Sequence, residues 1–289
     1  MLAVIGTVPV KGFPLLAGQV RLEGENIRLE GETVSVGRGT AALLAAACRT
    51  AEVLGQPAPH AYLAGDIGRG DGSRRVYSRL TKELPQRDFR VVSFHYLMPV
   101  VHWHDRVVAA LEQMPRRATW IADAGFMYVA KMSGQAAKYD LFTPDVGELA
   151  FLADEQAPHP FFTRGFILHE DNRVPDLIAR AYAHANAARS LMVKGRKDYL
   201  ANAAGIAATV EDPTVAALEA IGGTGDTLTG IVSALVASGM EINRAAAVAF
   251  RTNRFAGFHA EPTPATRVLD IIRQIEPALE ETLAEPAVA

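Results

Sequence analysis

The chain has 289 residues, 49% of them hydrophobic, so it is long enough to bury a full core in one α/β domain. A formal net charge of −3 lacks the basic excess that is typical of nucleic-acid-binding proteins. The single cysteine, Cys48, and the absence of a signal peptide or a membrane-length apolar run favour a cytoplasmic protein that does not contact membranes.

The first segment, residues 1–36, predicts a small antiparallel β meander. Apolar residues alternate with polar ones along 19–36, and Gly, Asn and Glu occupy the turns between them. So few strands cannot bury their apolar side chains alone. We therefore expect this segment to pack against the main body, against another subunit, or over a crevice as a lid. A homo-oligomer is the expectation we favour.

Residues 37–289 predict the core of the same single domain, in which short apolar strands alternate with helices. This alternation is typical of βαβ units with a parallel sheet covered by helices on both faces. The predicted strands lie at 60–64, 90–94, 119–122, 139–142, 190–193 and 199–201. The predicted helices lie at 40–54, 73–84, 105–113, 146–153, 173–189, 227–238, 243–259 and 265–284.

The most informative motif, IGGTGDTLTGIV, spans residues 221–232 and is a Gly-rich turn that leads into an apolar helix. Its glycines allow the backbone to approach an anion closely, and the helix brings unpaired N–H groups and a positive dipole end. Asp226 lies at the mouth of this anion hole, where a carboxylate is suited to remove a proton from a hydroxyl. A simple capped helix, with Thr224 or Asp226 as its N-cap, is the alternative.

Several other polar segments follow predicted strands. They are residues 65–72, Asp123, residues 143–148 and Lys194-Gly195. Because the carboxyl ends of parallel strands meet at one edge of a sheet, these segments can converge with Asp226 on one crevice.

Five segments together resemble one family, the ADP/ATP-dependent NAD(P)H-hydrate dehydratases, which share the ribokinase-like fold. In chain order they are GDIGRGDGSRRVYSRL (65–80), WIADAGFM (120–127), LFTPDVGELAFL (141–152), LMVKGRKDYLA (191–201) and GTGDTLTGIVSALVASG (223–239). The resemblance implies a three-layer α/β/α sandwich with a mostly parallel central sheet. It also implies phosphorylation of a hydroxyl on the hydrated nicotinamide ring, followed by elimination of phosphate.

The resemblance also implies roles for individual residues. Asp226 would be the catalytic base, and the backbone of Gly223, Thr224 and Gly225 would form the anion hole. ADP or ATP would contact six residues, which are Lys194, Gly195, Arg196, Asp198, Gly225 and Asn253. The small-molecule substrate would contact Ala41, Gly68, Asp123, Asp145 and Asp226. Glu148 would organise Mg²⁺ through water, because carboxylates suit a hydrated hard cation.

The chain departs from the family pattern on the substrate side. Asp145 stands where the family has a histidine, and an acid there disfavours a substrate that carries phosphates. The glycine loop that begins at Gly65 is also shifted relative to the family's loop. A kinase that phosphorylates a sugar or a vitamin-precursor alcohol is therefore an alternative, and a non-catalytic nucleotide-binding protein is another.

The histidines at 95, 102 and 104 raise the question of a metal site, since His102 and His104 have metal-like spacing. Carboxylate or cysteine partners in a ligand-like pattern are not evident beside them, which argues against that site.

Overall fold

The computed structural model describes residues 1–168, 173–263 and 265–284. Its centre is a nine-stranded sheet in the order β12-β11-β10-β9-β8-β7-β1-β6-β2. The strands of this sheet are β1 (Leu2–Val8), β2 (Leu16–Gln19), β6 (His60–Gly65), β7 (Val91–His95), β8 (Thr119–Ala122), β9 (Leu141–Phe142), β10 (Ser190–Val193), β11 (Asp198–Asn202) and β12 (Gly205–Val210). The strands from β10 to β6 pair in parallel, while β11, β12 and β2 pair antiparallel.

Helices cover both faces of the sheet and bury two apolar clusters against it. Helices of the first cluster are α1 (Thr40–Val53), α8 (Thr224–Ser238), α9 (Ile242–His259), α10 (Val268–Ile272) and α11 (Ile275–Ala284). Helices of the second are α2 (Asp71–Glu83), α3 (Val101–Glu112), α4 (Phe126–Met132), α5 (Val146–Ala153) and α7 (Val174–Ala183), with the short α6 (Gly165–Leu168) nearby in sequence. This confirms the expected α/β fold with helices on both sides of a mostly parallel sheet.

The α1–α8 contact is the one that matters most for the site. A Cβ on Gly230 of α8 would lie 2.3 Å from the carbonyl oxygen of Leu43 in α1, so only glycine fits there. The two helices therefore pack closely and bring their N-terminal ends together at the carboxyl edge of the sheet.

The N-terminal segment is divided between two sheets. The small antiparallel sheet comprises β3 (Arg21–Glu23), β4 (Asn26–Leu29) and β5 (Glu32–Ser35). Leu2–Val8, however, forms a central strand between β6 and β7, and all seven of its residues are buried. The expected meander over 1–36 was thus too broad, because a continuous apolar run such as LAVIGTV suits a strand covered on both faces.

The small sheet buries its apolar side chains within the same chain. Ile27 and Leu29 are buried, and their cluster includes residues of α1. The expected packing of this segment against the main body is observed.

Element boundaries were otherwise predicted closely, with several differences: the strand β12 and the helix α6 were not predicted, and α3 begins at Val101 and not at residue 105. The helix α4 was missed, and the helix expected over 173–189 ends at Ala183. The helix expected over 265–284 is two helices, α10 and α11, and Pro277 lies in the first turn of α11, where proline is tolerated. Within the described ranges, no helix has both the length and the apolar character needed to cross a bilayer.

Candidate active site

A crevice of about 510 Å³ opens at the carboxyl ends of the parallel strands. Its walls come from the segments that follow β7, β8, β9 and β10, and from the first turn of α8. The side chains of Asp123, Asp145, Lys194 and Asp226 all line it. The structure therefore brings together Asp123, the 143–148 segment, Lys194-Gly195 and Asp226, as expected, whereas residues 65–72 lie outside the set that lines the crevice.

The GTGD turn begins α8 with an unusual backbone. Gly223 is the N-cap residue and has a φ of 106°, a conformation that side-chain-bearing residues rarely adopt. A Cβ there would also lie 3.0 Å from Val268 Cγ2. The N–H groups of the first turn have no partner within the helix and lie beside the crevice, so they can bind an anion. Neither Thr224 nor Asp226 caps the helix.

Asp226 lies in this first turn, and each of its carboxylate oxygens is engaged. The backbone N–H of Gly39, which precedes α1, donates to Oδ2 over 2.6 Å. The ring Nε2 of His95 lies 3.0 Å from Oδ1, and its Nδ1 lies 3.0 Å from the Thr40 hydroxyl. The carboxylate is thus held in one orientation in the first turn of α8, beside the crevice.

His95 is a site residue that the sequence analysis considered only as a metal ligand and did not connect with Asp226. It is fully buried at the end of β7, far in sequence from Asp226. His104, by contrast, lies in the core beside Tyr139 and Ser133. Position at the carboxyl end of a buried strand, the criterion that identified Asp123, would have identified His95 as well.

Asp123 and Lys194 form a buried ion pair on the floor of the crevice. The Lys194 ammonium lies 3.0 and 3.1 Å from the two Asp123 oxygens, and the Thr229 hydroxyl donates to Oδ2 over 2.6 Å. Burial alone would lower the pKa of Lys194, but the carboxylates of Asp123 and Glu148 outweigh it and hold that pKa above its ordinary value. Conversely, Lys194 and His95 overcome burial and lower the pKa of Asp123.

His95, Asp123 and Asp226 also place ligand atoms within 4.8 Å of one another, which is metal-like spacing. The ammonium of Lys194 already neutralises Asp123 there. A second cation between the same groups would be repelled by that ammonium.

Asp145 and Glu148 form a reciprocal capping box at the start of α5. The Glu148 N–H donates to Asp145 Oδ1, and the Asp145 N–H donates to Glu148 Oε2. The Tyr128 hydroxyl donates to the other Glu148 oxygen. Burial raises the pKa of Glu148 to about 8. The ammonium of Lys194 opposes this rise, and the carboxylates of Asp123 and Asp145 add to it. A bound cation would favour the ionised form of this carboxyl.

The expected nucleotide side is organised by an arginine that the sequence analysis did not select. Arg254 pairs with Asp198 over 2.6 Å and donates to the carbonyls of Gly195 and Arg196. Asn253, its neighbour on α9, donates to the Thr224 carbonyl and accepts from Thr227. These bonds join the 194–198 turn and the first turn of α8 to α9.

Two of the expected substrate residues lie outside the set that lines the crevice. Ala41 is buried within α1, and Gly68 is in the turn after β6, where its N–H donates to Asp66. In place of Ala41, the nearby backbone of Gly39 reaches the site.

This arrangement of a parallel sheet, covering helices and a GTGD turn at the carboxyl edge defines a ribokinase-like fold. The family model described as NAD(P)H-hydrate dehydratase, of the carbohydrate-kinase group, matches residues 104–276. The chain therefore belongs to the NAD(P)H-hydrate dehydratase family.

Individual proteins are similar to this chain in sequence or in fold. An uncharacterized protein of Methanocaldococcus jannaschii is 40% identical over 242 residues, which cover 83% of this chain and 100% of that protein. The ADP/ATP-dependent NAD(P)H-hydrate dehydratase of Bacillus subtilis, co-crystallized with ATP and Mg²⁺, has a TM-score of 0.55 at 15% identity, over 97% and 88% of the two chains. The pyridoxal kinase of Staphylococcus aureus has a TM-score of 0.53 at 13% identity, over 88% and 86%.

Proposed function

We propose that the crevice catalyses nucleotide-dependent dehydration of NAD(P)H hydrate, with Asp226 as the base. The observation that carries this proposal is the position of the Asp226 carboxylate, which lies in the first turn of α8 beside unpaired N–H groups and is held by Gly39 and His95. A fixed carboxylate at an anion hole is suited to accept a hydroxyl proton while the backbone stabilises the phosphoryl group.

The reaction would take place in two steps. In the first, Asp226 takes the proton of the substrate hydroxyl as its oxygen bonds to the terminal phosphorus of the nucleotide, and the shorter nucleotide leaves. In the second, the C–O bond breaks, phosphate leaves with the bonding electrons, and the adjacent ring carbon loses a proton to water or to the departing phosphate, which restores the dihydropyridine. The N–H groups of Gly223, Thr224 and Gly225 face the charge that develops on the phosphoryl oxygens.

The nucleotide would be ADP or ATP, held near Lys194, Gly195 and Arg196. Mg²⁺ would be organised by Glu148 through water, since its carboxyl faces the crevice and has a raised pKa that a cation would bring down. The metal would supply charge neutralisation between the phosphates. Asp198 and Asn253 would act by holding the nucleotide-side loops in place.

A second candidate is a kinase acting on a small alcohol, and the charge of the crevice favours it. Asp145 and Asp226 line the same space; Arg196 and Arg254 line it too, but Lys194 is paired with Asp123 and Arg254 with Asp198. Uncompensated carboxylates disfavour a substrate that carries its own phosphates. The alcohol would then receive a phosphoryl group without subsequent elimination.

The experiment is to incubate the protein with hydrated NADH, Mg²⁺ and either ADP or ATP, and to follow recovery of dihydropyridine absorbance. Recovery that requires the nucleotide supports the dehydratase, and the Asp226→Asn variant supplies the control for non-enzymatic reversal. Nucleotide cleavage that requires an alcohol, without recovery from NADH hydrate, supports the kinase. Nucleotide binding with neither activity contradicts both.

A further inference from the structure

A second cavity, of about 600 Å³, lies at the amino ends of the parallel strands, on the opposite edge of the sheet from the crevice. Its wall includes the starts of β1 and β8, the turns that precede β6, β7 and β8, and the C-terminal halves of α1 and α8. Because α8 has 15 residues that each rise about 1.5 Å, its two ends lie about 22 Å apart. The cavity is therefore a site separate from the crevice.

The described residues that line this cavity include three arginines and no aspartate or glutamate. Arg90 directly precedes β7, and Arg116 and Arg117 precede β8. These strands are neighbours, and the Thr119 N–H donates to the Arg90 carbonyl over 2.8 Å. Adjacent strands lie about 4.8 Å apart, so the three side chains leave the backbone from neighbouring points. Positive charges gathered around one concave surface favour an anion.

The guanidinium of Arg90 is exposed, and no residue within the described ranges accepts a hydrogen bond from it or forms an ion pair with it. Two of its nitrogens lie beside Gly239, which ends α8, since a Cβ on that glycine would approach them to 3.1 and 3.2 Å. A cation is favoured beside a helix C-terminus, which accounts for the position of the guanidinium. Its N–H donors have no protein acceptor and can bind a ligand.

The other two arginines are only partly neutralised. Arg116 pairs with Asp88, but both side chains are more than half exposed, and such pairs open easily because water and salt compete for them. Arg117 donates to Asp140 over 2.9 Å, yet the same carboxylate also accepts from Arg189 over 3.2 Å. With the unpaired guanidinium before β7, four arginines and two aspartates leave this group a net charge of +2.

The lining also indicates what kind of anion fits. A guanidinium can donate two parallel N–H groups to one phosphate. Arg90 is free and Arg116 can be released from Asp88, so each can hold one phosphate of a diphosphate. Mg²⁺ prefers carboxylates and is repelled by guanidiniums, so a ligand here would come without the metal. Apolar residues such as Pro57 and Ala234 border the same space and suit the uncharged part of a ligand.

We propose that this cavity binds a small molecule that carries a metal-free diphosphate group, and that Arg90 and Arg116 hold the two phosphates. Arg117, fixed by Asp140, adds positive charge beside them. The Mg²⁺-nucleotide of the proposed function would occupy the other edge of the sheet, so this inference does not depend on that function.

The test is a calorimetric titration of the full chain with inorganic pyrophosphate in the presence of EDTA. The wild type is compared with Gly225→Val, in which a side chain blocks the first turn of α8 at the crevice. Gly225→Val should still bind pyrophosphate, because the second cavity is unchanged. Inorganic phosphate should bind that variant at least about tenfold more weakly, since it can engage only one of the two guanidiniums.

Arg90→Gln and Arg116→Gln, each made in the Gly225→Val background, should weaken pyrophosphate binding by about tenfold or more. Each substitution removes charge-assisted hydrogen bonds to one phosphate. Arg28→Gln removes an exposed arginine on β4, far from the cavity lining, and is the matched control. It should leave the affinity for pyrophosphate unchanged.

Several results would overturn the proposal. Binding that is lost in Gly225→Val but retained when Arg90→Gln is made alone would assign the anion to the crevice. Absence of pyrophosphate binding in the wild type, or equal affinity of Gly225→Val for phosphate and pyrophosphate, would refute a diphosphate site. A lower thermal midpoint of Arg90→Gln with unchanged pyrophosphate affinity would mean that Arg90 only stabilises the end of α8. Failure of the wild type to bind Mg²⁺-nucleotide, by contrast, would refute the proposed function and leave this cavity unaffected.

Discussion

The Asp226 carboxylate is almost completely enclosed, and its partners hold it in a fixed position. Its two oxygens contact a backbone N–H and an imidazole nitrogen. The nearby ammonium of Lys194 bonds to Asp123 and not to Asp226. This division of partners is what makes Asp226 the candidate base.

Asp226→Asn should reduce turnover about 10²–10⁴-fold, because the amide keeps the size of the carboxylate but cannot take the proton. Nucleotide affinity, measured by calorimetry, should stay similar or rise slightly, since a negative charge near the phosphates is lost. Asp105→Asn, at an exposed position on α3, is the matched control. Turnover that remains within a few-fold of wild type would show that the assigned base is wrong.

His95 should act as a positioning residue, because it contacts Asp226 and is itself held by Thr40. His95→Phe keeps much of the volume but removes the contact, and it should lower kcat by about tenfold or more. His95→Gln offers an amide to the same oxygen and should recover part of that loss. The KM for the nucleotide should change little in either variant. A rise in that KM with kcat unchanged would mean that His95 only supports the fold.

At the scale of elements, α2 is joined to β6 by a charged cluster at its C-terminal end. Glu83 contacts Arg79 over 2.6 Å and Arg87 and Tyr62 over 2.9 Å each. Burial alone would raise the pKa of Glu83, but hydrogen bonds from Arg87, Arg79 and Tyr62 outweigh it and lower that pKa to about 2. A carboxyl group whose pKa is lower in the folded state than in the unfolded state stabilises the fold at every pH at which it is ionised in both states.

This contribution should be present above about pH 4.5 and disappear as the pH falls towards about 2. Glu83→Gln should therefore lower the free energy of unfolding by about 1 kcal/mol at pH 7, after allowance for solvent screening of partly exposed partners. It should make little difference near pH 2. Chemical denaturation at pH 7 and near pH 2 measures the change in the free energy of unfolding at each pH. Glu112→Gln, on the exposed side of α3, is the control. An equal loss at both pH values would assign the effect to packing.

Local sequence was sufficient to predict elements whose ends are set by neighbouring residues, such as a capping box. The strands β8 and β10 and the helix α5 have the predicted limits, and α5 is fixed by the Asp145–Glu148 capping box. The central strand β1 was missed because its residues gain their partners from β6 and β7, more than fifty residues away in the chain.

The same distinction holds for the candidate site. The GTGD turn and Lys194 were evident because a short motif carries their chemistry. The contact of His95 with Asp226 was not, because it joins residues 131 positions apart and depends on how β7 and α8 pack. Arg254 was likewise hidden, since it acts on carbonyl groups of a turn that lies next to it only in the folded chain.

At the scale of the whole molecule, burial of the β3–β5 apolar face within the chain removes the reason for which a homo-oligomer was first expected. Self-association stays a prediction, and sedimentation velocity of the full chain tests it. Removal of the first 36 residues is not a suitable test, because it would also delete the central strand β1.

The crevice draws on segments from Gly39 to Arg254, so a ligand bound there should stabilise the entire fold. A nucleotide with Mg²⁺ at about 100 times its Kd adds about 2.7 kcal/mol to the free energy of unfolding. For a chain of this size that corresponds to a rise of about 5 °C or more in the thermal midpoint. Differential scanning calorimetry at several nucleotide concentrations measures the shift.

Gly225→Val should remove this shift, because the added side chain occupies the space in front of the α8 N–H groups. The variant itself should fold, since the φ of Gly225 is not positive and a Cβ there would meet only the flexible end of Lys194, at 3.4 Å. Ala237→Val adds bulk near the other end of α8, away from the crevice, and should retain the full shift. If Gly225→Val is stabilised by nucleotide as strongly as the wild type, the GTGD turn is only the start of a helix and the phosphate must bind elsewhere.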